Sequence, residues 1–373
     1  MTSATKPTVI VTGVSGNLGL RLLRQLSGFD VIGVDMYPPR SDSLARFEAM
    51  DLGLESSCQQ MVRLLRDSGA RSVVHLAFVL DPLRTGVLDL NRMWQINVAG
   101  TARVMEAITE VNRSGGQVET FIFIGSVSAY GPQTPGPVRE THPLAAHTLP
   151  YAIHKKEADD VVRHRAGNLA RCTTYLLRPH IFTGASMQNY MVGALRGTPT
   201  GNAPRAEKMR ERGERLPMLL PRGEEYLHNK LQFVHVDDVA RLLTYILRQP
   251  GKGNELLIFN VAGRGYPLTI QDCARISGQK IVQLPGKWLC RAALRHYWNR
   301  GISGVPPEAF PYMIGSYTMD TTRLQKFLGD DYSRVIQYTV EDALLDSFRT
   351  EEESRLFARN LEAKTKEAAR SRA

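Results

Sequence analysis

An apolar run, Thr8-Val9-Ile10-Val11, leads into Thr12-Gly13-Val14-Ser15-Gly16-Asn17-Leu18-Gly19, after which Leu18, Leu22 and Leu26 recur at helical spacing. A buried strand, a glycine turn and a helix in this order restrict the chain to a parallel α/β fold. In that setting glycines allow the backbone to approach a pyrophosphate, and the helix N-terminus offers N–H groups to its charge. The alternative is a strand-to-helix turn that holds no ligand. A second short strand, Val31-Ile32-Gly33-Val34, ends in Asp35, 22 positions after Gly13. That is close to the spacing at which a carboxylate reaches the adenosine ribose of a dinucleotide. A carboxylate there repels a 2′-phosphate, so NAD is expected and NADP is the lesser alternative; Arg40 is the residue that would favour NADP.

Further strand-like runs follow: Phe47–Met50, Ser72–Leu76, Phe121–Ile124, Thr173–Leu177 and Leu257–Val261. Helical patterns lie between them, notably over 91–112 and 238–248, the latter with Asp237 or Asp238 as a cap. The expectation is a Rossmann-type doubly wound parallel sheet with a smaller, mixed C-terminal substrate lobe. The boundaries are 1–182 plus 233–265 for the dinucleotide domain, 183–232 plus 266–348 for the lobe, and 349–373 for a charged helical tail. Thr350 and Glu353 suit a capping box for that tail, and Lys364, Lys366 and Arg370 lie near its end.

The hydrophobic fraction of 43% suffices for a packed core, and no apolar run is long enough to span a membrane. Met1–Pro7 holds no apolar signal core, and Cys58, Cys172, Cys273 and Cys290 lack metal-type spacing. These features predict a cytoplasmic protein with reduced thiols and no metal site. The net charge of +10 is uneven. Arg196, Arg205, Lys208, Arg210, Arg212, Arg215 and Arg222 crowd one Gly/Pro-rich stretch, and Lys287, Arg291, Arg295 and Arg300 lie among aromatics. No nucleic-acid motif accompanies them, so nucleic acid is not expected as a partner. The second group reads as an amphipathic helix packed inward, with contact to an anionic membrane as its alternative.

Chemistry enters with Tyr151-Ala152-Ile153-His154-Lys155, where a phenol and an ammonium share a helix face. The ammonium is expected to lower the phenol's pKa and so permit proton exchange near neutral pH. Twenty-five residues earlier, Ser126 opens a hydroxyl cluster with Ser128 at the end of the run Phe121–Ile124. Strand ends of this kind face the ligand crevice, and a hydroxyl there can donate to an oxygen on which charge changes.

In order, the glycine turn, Asp35, Asp51-Leu52, His75-Leu76-Ala77, Asn97–Thr101, the Ser126 cluster, Tyr151/Lys155, Arg178–Gly184, Phe233–Ala240 and Met319–Leu324 resemble the extended short-chain dehydrogenase/reductase family. Within it the chain is similar to the NAD-dependent epimerase/dehydratase branch, which includes UDP-glucose 4-epimerase-like bacterial proteins. The resemblance implies Tyr151 as acid/base, Lys155 as partner of the nicotinamide ribose and of Tyr151, and Ser126 as the group that binds the reacting oxygen. It implies Gly13, Ser15, Gly16, Asn17, Leu18 and Gly19 around the pyrophosphate, Asp35 at the ribose and Asp51 and Leu52 at the adenine. Leu76, Ala77 and Phe78 would line the cofactor groove, with Asn97 supporting it; Ser128 and His180 would join Ser126 on the substrate.

Ser126-Val127-Ser128 carries no carboxylate where dehydratases of this branch do, which disfavours elimination. Pro179-His180-Ile181 replaces an asparagine that many sugar-nucleotide epimerases place near the diphosphate. The leading expectation is a nucleotide-sugar epimerase acting through a transient keto intermediate, with the 196–222 stretch on the diphosphate and a homodimer as a possible assembly. The alternatives are an NAD(P)-dependent dehydrogenase or reductase of a sterol-like or other hydrophobic alcohol, and a non-catalytic cofactor-binding scaffold or redox sensor.

Overall fold

A computed structural model describes residues 6–41, 43–80, 89–249, 251 and 253–370. Met1–Thr5 of the segment read for a signal core lie outside the described residues, as do the side chains of Lys364, Lys366 and Arg370. Two compact units share the chain. The first comprises Met1–Ala129, Pro150–Pro179 and Val239–Asn260; the second comprises Tyr130–Leu149, His180–Asp238 and Val261–Ala373. Residues 130–149, which the sequence reading grouped with the dinucleotide domain, cluster with the second unit.

The first unit is built on β1 (Thr8–Thr12), β2 (Asp30–Asp35), β3 (Arg46–Ala49), β4 (Ser72–His75), β5 (Thr120–Ile124), β6 (Thr173–Pro179) and β7 (Leu256–Val261). They form one sheet in the order β3-β2-β1-β4-β5-β6-β7. The pairs from β3 through β6 are parallel. All seven overlap the strand-like runs, and the central ones do so because strands buried on both faces read as continuous hydrophobic stretches, whereas the edge strand β3 is only half-buried. Helices α1 (Asn17–Leu23), α2 (Ser57–Ser68), α3 (Leu90–Trp94), α4 (Gly100–Arg113) and α5 (Pro150–Arg165) cover this sheet. Met61, Leu65, Val104, Ile108 and Val162 pack with Ile10, Val73 and Phe121 in the core. The helix expected over 91–112 is interrupted by a π-helical segment, Gln95–Ala99, between α3 and α4.

Strand order reverses between β1 and β4, the position where open α/β sheets receive ligands. The loops leaving these strands nearly touch. A Cβ on Gly13, whose φ is +69°, would fall 2.5 Å from the Ala77 nitrogen, so only glycine fits.

The second unit contains two-residue to four-residue strands paired two by two, including Met218–Pro221 with Ile281–Leu284 and Phe233–His235 with Ile181–Thr183. Helix Val236–Leu247 begins before the expected cap. Asp237 and Asp238 therefore lie in its first turn; the Asp237 N–H donates to His235 Nδ1, and the Asp238 carboxylate accepts from the N–H groups of Gln337 and Tyr338. The tail helix Glu351–Arg370 carries the expected box, with Thr350 and Glu353 exchanging hydrogen bonds. Its Phe357 lies 3.7 Å from the Arg349 guanidinium.

Candidate active site

Helix α5 sets the arrangement. Tyr151, Lys155 and Asp159 follow one another at intervals of four and so share one face. Lys155 is buried, and its Nζ donates to the Ile124 carbonyl at the end of β5 over 2.7 Å. The ammonium also lies 3.5 Å from the centre of the Phe78 ring and 5.9 Å from that of Tyr151. The Phe78 and Tyr151 rings meet edge to face. At the same strand end Ser126 is buried. Its Oγ accepts from the Ser128 hydroxyl at 2.8 Å and from the Ser128 N–H at 3.1 Å. Ser126 also hydrogen-bonds Tyr151. Serine, tyrosine and lysine, dispersed in sequence, thus converge at the end of β5.

Their protonation departs from the expectation. Burial lowers Lys155 to about 7, with the Asp159 carboxylate opposing. Burial raises Tyr151 to about 12, with the Ser126 hydrogen bond opposing. The ammonium is therefore not the dominant influence on the phenol, because it is directed at a backbone carbonyl and an aromatic face instead.

Beneath Lys155 lies a polar layer. His75 Nδ1 pairs with Thr12 Oγ1 at 2.7 Å and Nε2 with Thr101 Oγ1 at 3.1 Å. Since Thr101 donates to the Asn97 carbonyl, Nε2 carries the hydrogen and the ring is neutral. Burial, with Lys155 adding repulsion, lowers His75 to about 3. Asn97, in the π-helical segment, grips Val79 with both amide atoms: Oδ1 accepts from the Val79 N–H at 2.6 Å and Nδ2 donates to its carbonyl at 3.0 Å.

One buried ion pair was not read from the sequence. Arg178, at the end of β6, reaches Asp159 on α5 with Nε at 2.7 Å and Nη2 at 2.9 Å. The only sequence signal was the i+4 step from Lys155 to Asp159.

The cofactor candidates fall around the β1 and β4 loops. No side chain caps α1 at Gly16, and a Cβ on Gly19 would strike the Val14 carbonyl at 2.5 Å. Asp35 accepts from the N–H groups of Ser15 and Met36 at 3.0 and 2.8 Å. Its two oxygens retain acceptor capacity, since a carboxylate offers about four lone-pair sites. A glycine cradle, an uncapped helix start and an adjoining carboxylate fit a dinucleotide. Asn17 and Leu18 open α1, while the Ser15 hydroxyl donates to the Tyr37 carbonyl. Asp51 is engaged by Arg92 and by the Gly53 N–H, and the Leu52 carbonyl accepts from Arg103. Leu76 and Ala77 are partly buried beside Gly13.

Two expectations in the second unit are revised. His180 accepts from the Ile181 N–H and pairs with the Tyr317 carbonyl through Nε2, which commits both ring nitrogens to the backbone rather than to a substrate. In the basic stretch, Arg196 donates to the carbonyls of Ala185, Met187 and Ser347, and Arg210 to those of Pro199 and Gly201. Arg215 donates to those of Leu195, Arg196, Ser277 and Gly278. These three guanidiniums clamp loops and are not presented to a diphosphate.

A sequence profile of the NAD-dependent epimerase/dehydratase family matches residues 9–262. A UDP-glucose 4-epimerase from Erwinia amylovora is 28% identical over 280 residues, covering 69% of this chain and 79% of that protein. Among solved structures, MoeE5 in complex with UDP-glucuronic acid and NAD superposes with a TM-score of 0.62 at 21% identity, over 91% of this chain and 97% of that one. The Bordetella bronchiseptica enzyme WbmH in complex with NAD+ gives 0.61 at 17% identity, over the same shares of 91% and 97%. The chain belongs to the NAD-dependent epimerase/dehydratase family and is an NAD-dependent enzyme.

Proposed function

We propose that this member of the family is a nucleotide-sugar epimerase that works through a transient keto sugar. The observation that carries the reading is the meeting of Ser126, Tyr151 and Lys155 at the end of β5. The similarity to a UDP-glucose 4-epimerase supports the substrate class.

In this reading the Gly13–Gly19 turn and the start of α1 hold the pyrophosphate of NAD, Asp35 holds the adenosine ribose, and Lys155 the nicotinamide ribose. Bound NAD supplies a hydride acceptor that returns the hydride after the sugar has turned over. Ser126 donates to the reacting oxygen and orients it against Tyr151. Tyr151 takes the hydroxyl proton as the carbonyl forms and returns it when the alcohol is restored. Burial keeps the phenol protonated in the structure, so it must first release its own proton to solvent and react as the phenolate; positive charge beside the ring favours that form, and Lys155 is the cation on that side. Ser128 supports Ser126 through their hydroxyl contact.

The test is incubation with NAD and either UDP-glucose or UDP-glucuronate, followed by proton NMR of the sugar. Appearance of the 4-epimer without net NADH is the expected result. No epimer from either, with NADH accumulating on a hydrophobic secondary alcohol, would replace this reading with the second one, a dehydrogenase. That second reading is favoured by one observation, the commitment of Arg196, Arg210 and Arg215 to backbone carbonyls.

A further inference from the structure

From Cys273 to Pro307 the chain runs for 35 residues with six lysines and arginines and no aspartate or glutamate. Its centre is the helix Lys287–Asn299 in the second unit. Cys290 and Leu294 are buried, which is the inward packing expected of an amphipathic helix. The opposite face is exposed and carries Lys287, Trp288, Arg291, Arg295 and His296. Lys287, Arg291 and Arg295 follow one another every fourth residue, so they form a line along this face. Trp288 stands beside that line with 70% of its surface open. Gly286, at φ +84°, leaves room for the indole, since a Cβ there would lie 3.2 Å from its ring.

Some exposed arginines elsewhere on the protein have acidic partners, as in Arg66–Glu110, Arg275–Asp272 and Arg334–Asp331, while others such as Arg63 and Arg113 stand singly rather than in a line beside an exposed indole. Among the described residues, Lys287, Arg291 and Arg295 form no ion pair. Lys287 lies 5.7 Å from the centre of the Tyr226 ring and Arg291 6.0 Å from that of Phe310.

We propose that this outward face docks on an anionic lipid bilayer. The charges complement a negative headgroup layer, and an exposed indole beside them suits the bilayer interface, where tryptophan is enriched. A soluble polyanion would be met by the cations alone and would leave the indole without an apolar environment. Because Cys290 and Leu294 are buried in the protein and Trp288 is the one large apolar side chain of this helix that stands exposed, the attachment is peripheral, reversible and salt-sensitive. The charge of each cation near such a surface accounts for about a fivefold change in partitioning.

The test is flotation of the full chain with vesicles of phosphatidylcholine alone or with a quarter phosphatidylserine, at 50 and 500 mM salt, about the range over which screening becomes strong. The expected result is binding to the phosphatidylserine vesicles at low salt only, with a blue shift of tryptophan emission that Trp288→Phe abolishes. Arg291→Glu with Arg295→Glu should weaken binding at least about tenfold. Arg63→Glu with Arg113→Glu, an equal change of net charge on the first unit, should leave it nearly intact. Circular dichroism and NAD binding establish that each variant is folded. Four results would overturn the proposal: no flotation at low salt, equal flotation with neutral vesicles, equal loss in both double variants, or binding to heparin that vesicles cannot displace.

Discussion

The two units of this protein keep their shape by different means. In the first, seven strands form one sheet whose central members are buried apolar runs such as Val9-Ile10-Val11 and Phe121-Ile122-Phe123. In the second, strands such as Lys230–Leu231, Leu268–Thr269 and Thr318–Met319 are too short to stabilise a sheet, and polar side chains tie loops to backbone instead. Arg215, Arg196, Gln279 and Asp238 are examples, with partners 63 to 151 residues away in the first three cases. In the first unit Lys155, Asp159 and Arg178 are buried, so removing a partner leaves an uncompensated charge, whereas each clamp in the second is one of several hydrogen bonds at less buried positions.

The sharpest way to break this comparison is at Tyr151. Tyr151→Phe should reduce turnover of any confirmed substrate by about a hundredfold to ten-thousandfold while leaving the fold and NAD binding intact. Steady-state kinetics with calorimetry of NAD binding checks it; nearly unchanged turnover would remove the chemistry from this face of α5.

Next come the two kinds of arginine. Arg178→Met leaves Asp159 buried with the partly exposed Arg163 as its remaining ion-pair partner and Lys155 one turn away, and should cost about 3–5 kcal/mol in urea unfolding. Arg215→Met loses hydrogen bonds at a partly exposed position and should cost only about 1–2 kcal/mol. Equal costs would erase the distinction.

The pH dependence separates the units further. Lys155 is near 7 when folded and near 10.5 when unfolded, so between these values the unfolded chain binds more protons and stability rises with pH. Below pH 7 the burden is fully present. Lys155→Met should remove this alkaline rise from the melting temperature. His75 is lowered to about 3 and His180 to about 4 by burial, from 6.5. Both contribute stability that is complete above pH 6.5 and lost on acidification towards those values. His180→Gln should flatten part of the acid slope and leave the alkaline one unchanged.

The smallest expected effect is on cofactor choice. Asp35→Ala should narrow the preference for NAD over NADP by about fivefold, the scale of one partly exposed charge, as measured by calorimetry.

The same contrast explains what was readable. The central strands of the large sheet were visible because burial on both faces writes an uninterrupted apolar run, and the half-buried edge strand β3 was visible only through its place after them. The convergence of Ser126, Tyr151 and Lys155 was visible because a strand end and an i,i+4 helix pair are local patterns. The Arg178–Asp159 pair was not, since nothing local joins a strand end to a helix 19 residues earlier. The backbone partners of His180, Arg196, Arg210 and Arg215 were not readable either, because a carbonyl partner leaves no trace in composition. The lowered Lys155 and raised Tyr151 depend on burial depth, a property of the assembled sheet.

The chain passes between its two units five times, and this orders events during synthesis. Seventy-six residues separate the end of β6 at Pro179 from the start of β7 at Leu256. A ribosome takes about 4–15 seconds to add them at typical rates. Throughout that interval β6 is the outermost strand of a sheet that still lacks its last member, with one edge unpaired. Such an edge invites pairing with a neighbouring nascent chain. Polysomes, where copies emerge close together, are the setting in which this protein is most exposed to aggregation.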